Sequence, residues 1–298
     1  LIGGLAGDAL TTGGSNVAVG YNSLSTEDGH GGNVAVGTNV LASQNANATA
    51  YNTAVGHNAG LNVTTGTQNT ILGGLAMDAA NTGAANVAIG YQALTADVKG
   101  QNNVAVGHNA LATQNFDTAT NSYNVAVGSQ AGLLISTGTQ NTLIGGLSGD
   151  AITTANNNTA IGYASLSASQ TGAQNVAIGV QALLAATGND NVAVGMNAGL
   201  SITSGTRNTI VGALAGDVFD TGTENTVIGY SANTGGGSAT RQIVIGSNVT
   251  AAGNNAVRIG TSVGTATLEL DGSDTSWAAA SDERLKKDIA DSTVGLSF

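Results

Sequence analysis

"NVAVGYNSL" (Asn16–Leu24) decides how this chain folds, because its first five residues return along nearly the whole sequence. The recurring unit is Asn, a β-branched residue, a small residue, Val or Ile, then Gly. The glycines of the pattern are Gly3, Gly20, Gly37, Gly56, Gly73, Gly90, Gly107, Gly128, Gly145, Gly162, Gly179, Gly195, Gly212, Gly229, Gly246 and Gly260. Most steps between them are 17 residues, with exceptions of 19, 21 and 16 and a last step of 14. A fixed period of this length is the signature of stacked repeats.

Each column of the repeat has a physical reading. Val, Thr or Ile stands three residues before the glycine, as in Val17, Thr70 and Ile243, and Val, Ile or Leu stands one before it. Between them lies a small residue such as Ala18, Ala88 or Ala177. That alternation predicts a short strand with β-branched residues on one face and small ones on the other. Glycine then ends the strand where the corner requires positive φ. Seventeen residues leave room for two short strands and two turns, so the fold expected is an all-β parallel β-solenoid of 15–16 coils. Coils spaced by about 4.8 Å would make a rod of roughly 75 Å. The asparagines Asn16, Asn33, Asn52, Asn69, Asn86, Asn103, Asn124 and Asn141 begin a column expected to stack amide on amide, as in cross-β ladders.

A longer period overlies the first. Tyr21, Tyr91, Tyr163 and Tyr230 follow the repeat glycine at intervals of 70, 72 and 67, and Asp8, Asp78, Asp150 and Asp217 recur likewise. Four coils thus form a super-repeat. Its aspartates lie about 19 Å apart along the rod, too far to share an ion, and are read as turn formers.

Composition narrows the function. The 298 residues include 45 glycines, no proline, no cysteine and ten aromatics, so disulfides and thiolate chemistry are excluded. Seven basic against eighteen acidic residues give a net charge of −11. That balance opposes binding to nucleic acid, which needs clustered Lys and Arg. No apolar run approaches the roughly 20 residues of a membrane helix, and no signal peptide opens the chain. The first residues, "LIGGLAGDA", already lie inside a repeat, which reads as a piece of something longer. The glycines form no nucleotide loop, since no helix and no suitably placed Lys follow them. Thr alternates irregularly with Val in its column, so no flat ice-binding array is expected. His30, His57 and His108 fall in separate repeats without ligand spacing. No metal or cofactor is therefore expected. The two longest steps add residues around Ser43–Tyr51 and Thr113–Tyr123. Insertions in solenoids map to loops, so Phe116 and Asp117 are candidate ligand contacts, with a tolerated insertion of no role as the alternative.

"NVAVGYNSL", "NTAVGHNAG" and "NVAIGYQAL" resemble the YadA-like head repeats of trimeric autotransporter adhesins, over residues 1–263. The resemblance implies a left-handed parallel β-roll in which three chains pack around one axis. The family's coil is shorter, nearer to the last step of 14 seen here.

After residue 263 the repeat stops. Residues 264–280 form a connector with one alternating strand, Thr265–Leu270. Then "SDERLKKDI" packs six charges into Asp282–Asp288. Its spacing reads as the start of a short helix capped by Ser281. The motif also resembles the opening of the endosialidase-type intramolecular chaperone domain of phage tail spikes and fibres, over residues 281–298. That resemblance implies cleavage between Ala280 and Ser281, with Ser281 as nucleophile and Lys286 as base. A lysine can act so only when burial or nearby cations lower its pKa. Most of that domain is missing from residues 281–298, so the chain is not expected to be an enzyme as it stands. Three functions follow: the shaft of a homotrimeric tail fibre on a virion, binding a cell-surface glycan or protein receptor; the head of an adhesin on a bacterial surface; or a glycan-degrading spike. An adhesin would continue into a heptad stalk and a membrane barrel, and a glycosidase would need a convergent acid pair.

Overall fold

The computed structural model describes residues 1–218, 220–251, 253–270 and 278–279. They form an all-β parallel solenoid of about 14 turns, with no helix. Each coil contributes one three-residue strand. Val17–Val19 pairs with Val34–Val36, and so on through Ile243–Ile245, always in parallel and in register. Thus Ala18 lies on Ala35, Ala35 on Ala54, and Ala54 on Ile71. The central residue of each three-residue strand points into the coil and is buried, whereas Val17, Leu72 and Ile144 beside it face outward.

The strand ends where Gly20 adopts φ of 128°. Positive φ at the repeat glycines agrees with the reading from sequence, but a second constraint lies beneath it. A Cβ built on Gly20 would sit 2.3 Å from the carbonyl oxygen of Gly37 in the next coil. Any side chain there would push neighbouring coils apart, so the glycine column is required by stacking as well as by the corner.

The other side of the coil differs from expectation. A second strand appears only where Gly100–Gln101 pairs with Thr120–Asn121. Elsewhere the chain turns through left-handed residues, Asn22 at φ 57° and Leu24 at φ 49° among them, and an extended segment cannot contain such bends. Coil-to-coil hydrogen bonds continue nonetheless, for instance from Leu24 N to Val40 O at 3.0 Å and from Thr11 N to Asp28 O at 2.8 Å. A left-handed leucine costs about 1–3 kcal/mol. The cost is offset because Leu24, Leu41, Leu94 and Leu111 place their side chains in the buried interior.

About 14 turns are formed, against the 15–16 expected. Ile2 makes only an isolated bridge to Val19. At the other end, Ala256–Thr261 turns back into an antiparallel hairpin with Gly264–Glu269. That second strand begins one residue earlier than the sequence pattern placed it, and Ala278–Ala279 pairs with it in turn. Ala280, Ser281, Lys286 and the expected helix start lie outside the described residues.

The interior shows a packing exchange between coils. Several coils combine a small strand centre with a large residue four positions after the glycine, as at Leu24, Leu41, Leu94 and Leu111. Elsewhere glycine stands at that position beside a larger strand centre. Gly60 takes the place held by Leu41 in the preceding coil, and Ile71 takes the place held elsewhere by Ala. A Cβ on Gly60 would meet Leu41 Cδ2 at 2.8 Å and Ile71 Cδ1 at 2.9 Å. Gly132 with Leu143, and Gly199 with Ile210, repeat the exchange. Close packing tolerates neither the extra volume nor the void. Gly60→Leu alone is expected to cost about 1–3 kcal/mol by overpacking, and Ile71→Ala about 2–5 kcal/mol by cavity formation. Together they recreate the arrangement of the other coils, so the double variant should cost less than the sum, by about 0.5–3 kcal/mol. Denaturant unfolding of the four proteins measures this, and strict additivity would refute the volume exchange.

Candidate functional surface

The asparagine column forms a buried polar seam along the rod. Asn33, Asn52, Asn69, Asn86, Asn103, Asn124 and Asn141 are buried, and Asn16 at the end is partly so. The connection is not chiefly amide on amide. Each side-chain oxygen accepts from the backbone N–H of the next asparagine: Asn33 N to Asn16 Oδ1 is 3.0 Å and Asn141 N to Asn124 Oδ1 is 2.9 Å. The side-chain nitrogen donates to a backbone carbonyl on the far side of the same coil, as from Asn86 to Gly100 at 2.9 Å. Direct amide–amide bonds, such as Asn69 to Asn52 at 3.1 Å, supplement these in some coils. The seam satisfies backbone groups that no strand partner reaches, which makes it structural in chemistry.

Seven positions after the repeat glycine, another inward column carries Val63, Ile135, Ile152 and Ile202. In two coils it carries an acid, Glu27 and Asp97, each followed by glutamine in the next coil, Gln44 and Gln114. Asp97 Oδ2 accepts from Gln114 Nε2 at 2.6 Å, and Oδ1 accepts from Gly100 N at 2.8 Å. Gln114 Oε1 accepts from Asn124 Nδ2 at 2.7 Å, joining the acid to the seam. Burial raises the Asp97 carboxyl above its ordinary 3.8, against the opposing hydrogen bonds from Gln114 and Gly100.

The expected ligand loop behaves otherwise. Phe116 is 6 % exposed, at the position that Ala46 takes in the other long coil. Burial of the ring takes apolar area out of water and leaves little of it open to a ligand. Asp117 is exposed, and its carbonyl oxygen accepts from Lys99 Nζ at 2.7 Å.

Three features mark the outer surface. The first is the aliphatic line flanking the strands, with Val17, Leu72, Ile144, Ile178, Val211, Ile228 and Ile243 all exposed. Next to it runs the column after the glycine, holding Tyr21, Tyr91, Tyr163 and Tyr230. The rings of Tyr21, Tyr91 and Tyr163 lie over Gly4, Gly74 and Gly146 of the preceding coils, where a Cβ would be 3.6–3.7 Å away. Tyr91 also stacks on His108, with ring centroids 5.9 Å apart. His57 and His108 are exposed members of this column. The third is a charge column in which Glu224 bridges Arg207 at 3.3 Å and Arg241 at 2.9 Å. Such exposed pairs contribute little stability, though they bind three successive coils at the same corner. The four super-repeat aspartates do not converge: Asp78 accepts from Thr95 Oγ1, and Asp150 accepts from Ser167 Oγ at 2.6 Å.

No family model, characterised protein or solved structure matches this chain. The reading of the surface therefore rests on its geometry. The buried acids were missed in the sequence, although Glu27 and Asp97 were detectable by reading down the column seven residues after each glycine.

Asp97 yields a pH dependence of definite sign. Its raised pKa means the folded chain binds this proton more tightly than the unfolded one. The stabilisation is complete below 3.8 and is lost as pH rises through the raised folded value. Asp97→Asn should remove that loss, flattening the stability profile on the alkaline side of 3.8. Urea unfolding across pH checks it; an unchanged profile would show that Asp97 is ordinary.

Proposed function

We propose that this chain is the shaft of a homotrimeric phage tail fibre, a left-handed β-roll presented to a cell-surface glycan or protein receptor from outside the cell. The observation that supports it best is the aliphatic line. Val17, Leu72, Ile144, Ile178, Val211, Ile228 and Ile243 are all at least one third exposed in the single chain. They point away from a sealed interior, so they do nothing for the fold of one coil. An apolar line of this length, in an otherwise polar surface, marks an association face. Three copies related by an axis parallel to the rod would bury it with identical residues at identical heights, as closed symmetry demands.

The runner-up reading is the head of a bacterial surface adhesin. The repeat resemblance supports both readings equally. The motif "SDERLKK" favours the fibre, because it resembles the opening of a chaperone that trimerises β-rich chains and then leaves by cleavage at Ala280–Ser281. Near-identical coils invite register slips, and non-local strand pairing is slow and exposed to aggregation. A transient domain that aligns three chains answers both problems.

Light scattering of the purified chain should give three times the monomer mass, and a monomeric mass would overturn the trimer. Ile178→Glu combined with Val211→Glu should yield folded monomers, since both side chains face outward and neither contributes to the interior.

Maturation is tested separately, by intact mass after expression with a complete chaperone domain. The product should end at Ala280. Ser281→Ala, or Lys286→Met, should leave it uncut yet still trimeric. Cleavage that survives Ser281→Ala would exclude Ser281 as the nucleophile.

A further inference from the structure

One cluster stands apart from both the shaft interior and the association face. In the segment Thr26–His30, the side chains of Glu27, Asp28 and His30 each bring one ligand-type atom within 4.8 Å of the others. Their environments differ. Glu27 is wholly buried, Asp28 is exposed, and His30 lies partly exposed between them. A surface pocket of about 340 Å³ opens at His30, walled by Ser15, Thr49, Tyr51 and four glycines.

Two buried atoms of the cluster have no hydrogen-bond partner among the described residues: Glu27 Oε2 and His30 Nδ1. Glu27 Oε1 accepts only the backbone N–H of His30, at 3.1 Å. A carboxylate removed from water is unfavourable unless it is compensated. The chain shows how such compensation is normally arranged, because Asp97 occupies the same column and is satisfied. There Gln114 donates to the acid at 2.6 Å. Here the corresponding Gln44 leaves its Nε2 without a partner and does not reach Glu27. The longer glutamate side chain keeps the same backbone hydrogen bond, but its second oxygen is not taken up by the coil above.

The gap between the partners has a telling width. His30 Nδ1 and Glu27 Oε1 are 3.9 Å apart, too far for a hydrogen bond. Two ligands at about 2.0–2.2 Å from one ion stand roughly 3–4 Å from each other. A single cation held by the Glu27 carboxylate and His30 Nδ1 would balance the buried acid and give Nδ1 a partner, with Asp28 closing a third position from the solvent side.

We propose that Glu27, Asp28 and His30 bind one divalent transition-metal ion of the zinc class. An imidazole nitrogen with two carboxylate oxygens suits zinc-class ions better than calcium or magnesium, which prefer all-oxygen shells. Three protein ligands leave at least one position for water, facing the pocket. All three ligands come from one turn. The Asp28 carbonyl in that turn accepts from Thr11 N and Thr11 Oγ1 of the preceding coil, both at 2.8 Å. The ion would thus staple a turn that holds two coils together, replacing the glutamine that serves Asp97.

The test is calorimetric titration of the untagged, EDTA-treated chain with zinc chloride, alongside calcium and magnesium chlorides. One zinc ion per chain should bind, neither alkaline-earth ion should compete at equal concentration, and the thermal midpoint should rise with zinc. Glu27→Gln and His30→Ala should each weaken zinc at least tenfold. Asp28→Asn, at an exposed position that poses no threat to folding, should weaken it measurably as well. The double variant His57→Ala, His108→Ala should leave affinity unchanged. The proposal is overturned by absence of stoichiometric binding, by preference for calcium, by affinity that survives both His30→Ala and Asp28→Asn, or by loss of affinity in the His57/His108 variant.

Discussion

Everything in this rod depends on one close approach, between the corner glycine of each coil and the glycine carbonyl of the next. The Gly37 carbonyl oxygen stands 2.3 Å from where a Gly20 side chain would begin. No residue with a Cβ can hold that contact. Once it is made, strand register follows, Val17 on Val34 and Ala18 on Ala35. Register in turn places every asparagine beneath the next, so that one side-chain oxygen meets one backbone N–H per coil. The glycine column and the asparagine seam are two consequences of the same stacking.

The interior obeys a second rule, that a larger strand centre needs room beside it. It is thin, and alanine fills much of it, so there is no reserve of flexible bulk to absorb a misfit. A larger strand centre therefore demands a glycine elsewhere, as Ile71 demands Gly60 and Leu143 demands Gly132. Tyr21, Tyr91 and Tyr163 lie flat because the coil beneath offers glycine at the same column.

The acids of the interior show how little separates a structural position from a chemical one. Asp97 and Glu27 share a column and a backbone hydrogen bond, and both are followed by glutamine. One methylene more in Glu27 leaves its second oxygen unpaired beside His30 and Asp28. A ligand-binding turn can arise in this fold without disturbing the stack, because the column faces inward at one end and the turn beside it faces solvent.

The sequence by itself determined the period, the parallel coil and the roles of glycine and of the β-branched flanks. These follow from local constraints, side-chain alternation and backbone φ, which every repeat states again. Only the tertiary structure decided the rest. It replaced the expected second strand with left-handed turns, because residues such as Leu24 accept an unfavourable φ to fill the interior. It buried Phe116, which looked like a loop contact. It turned the asparagine column from stacked amides into side-chain-to-backbone bonds. And it brought Glu27 and His30 face to face, a pairing that depends on which side of a turn each residue occupies and therefore has no signal in spacing alone.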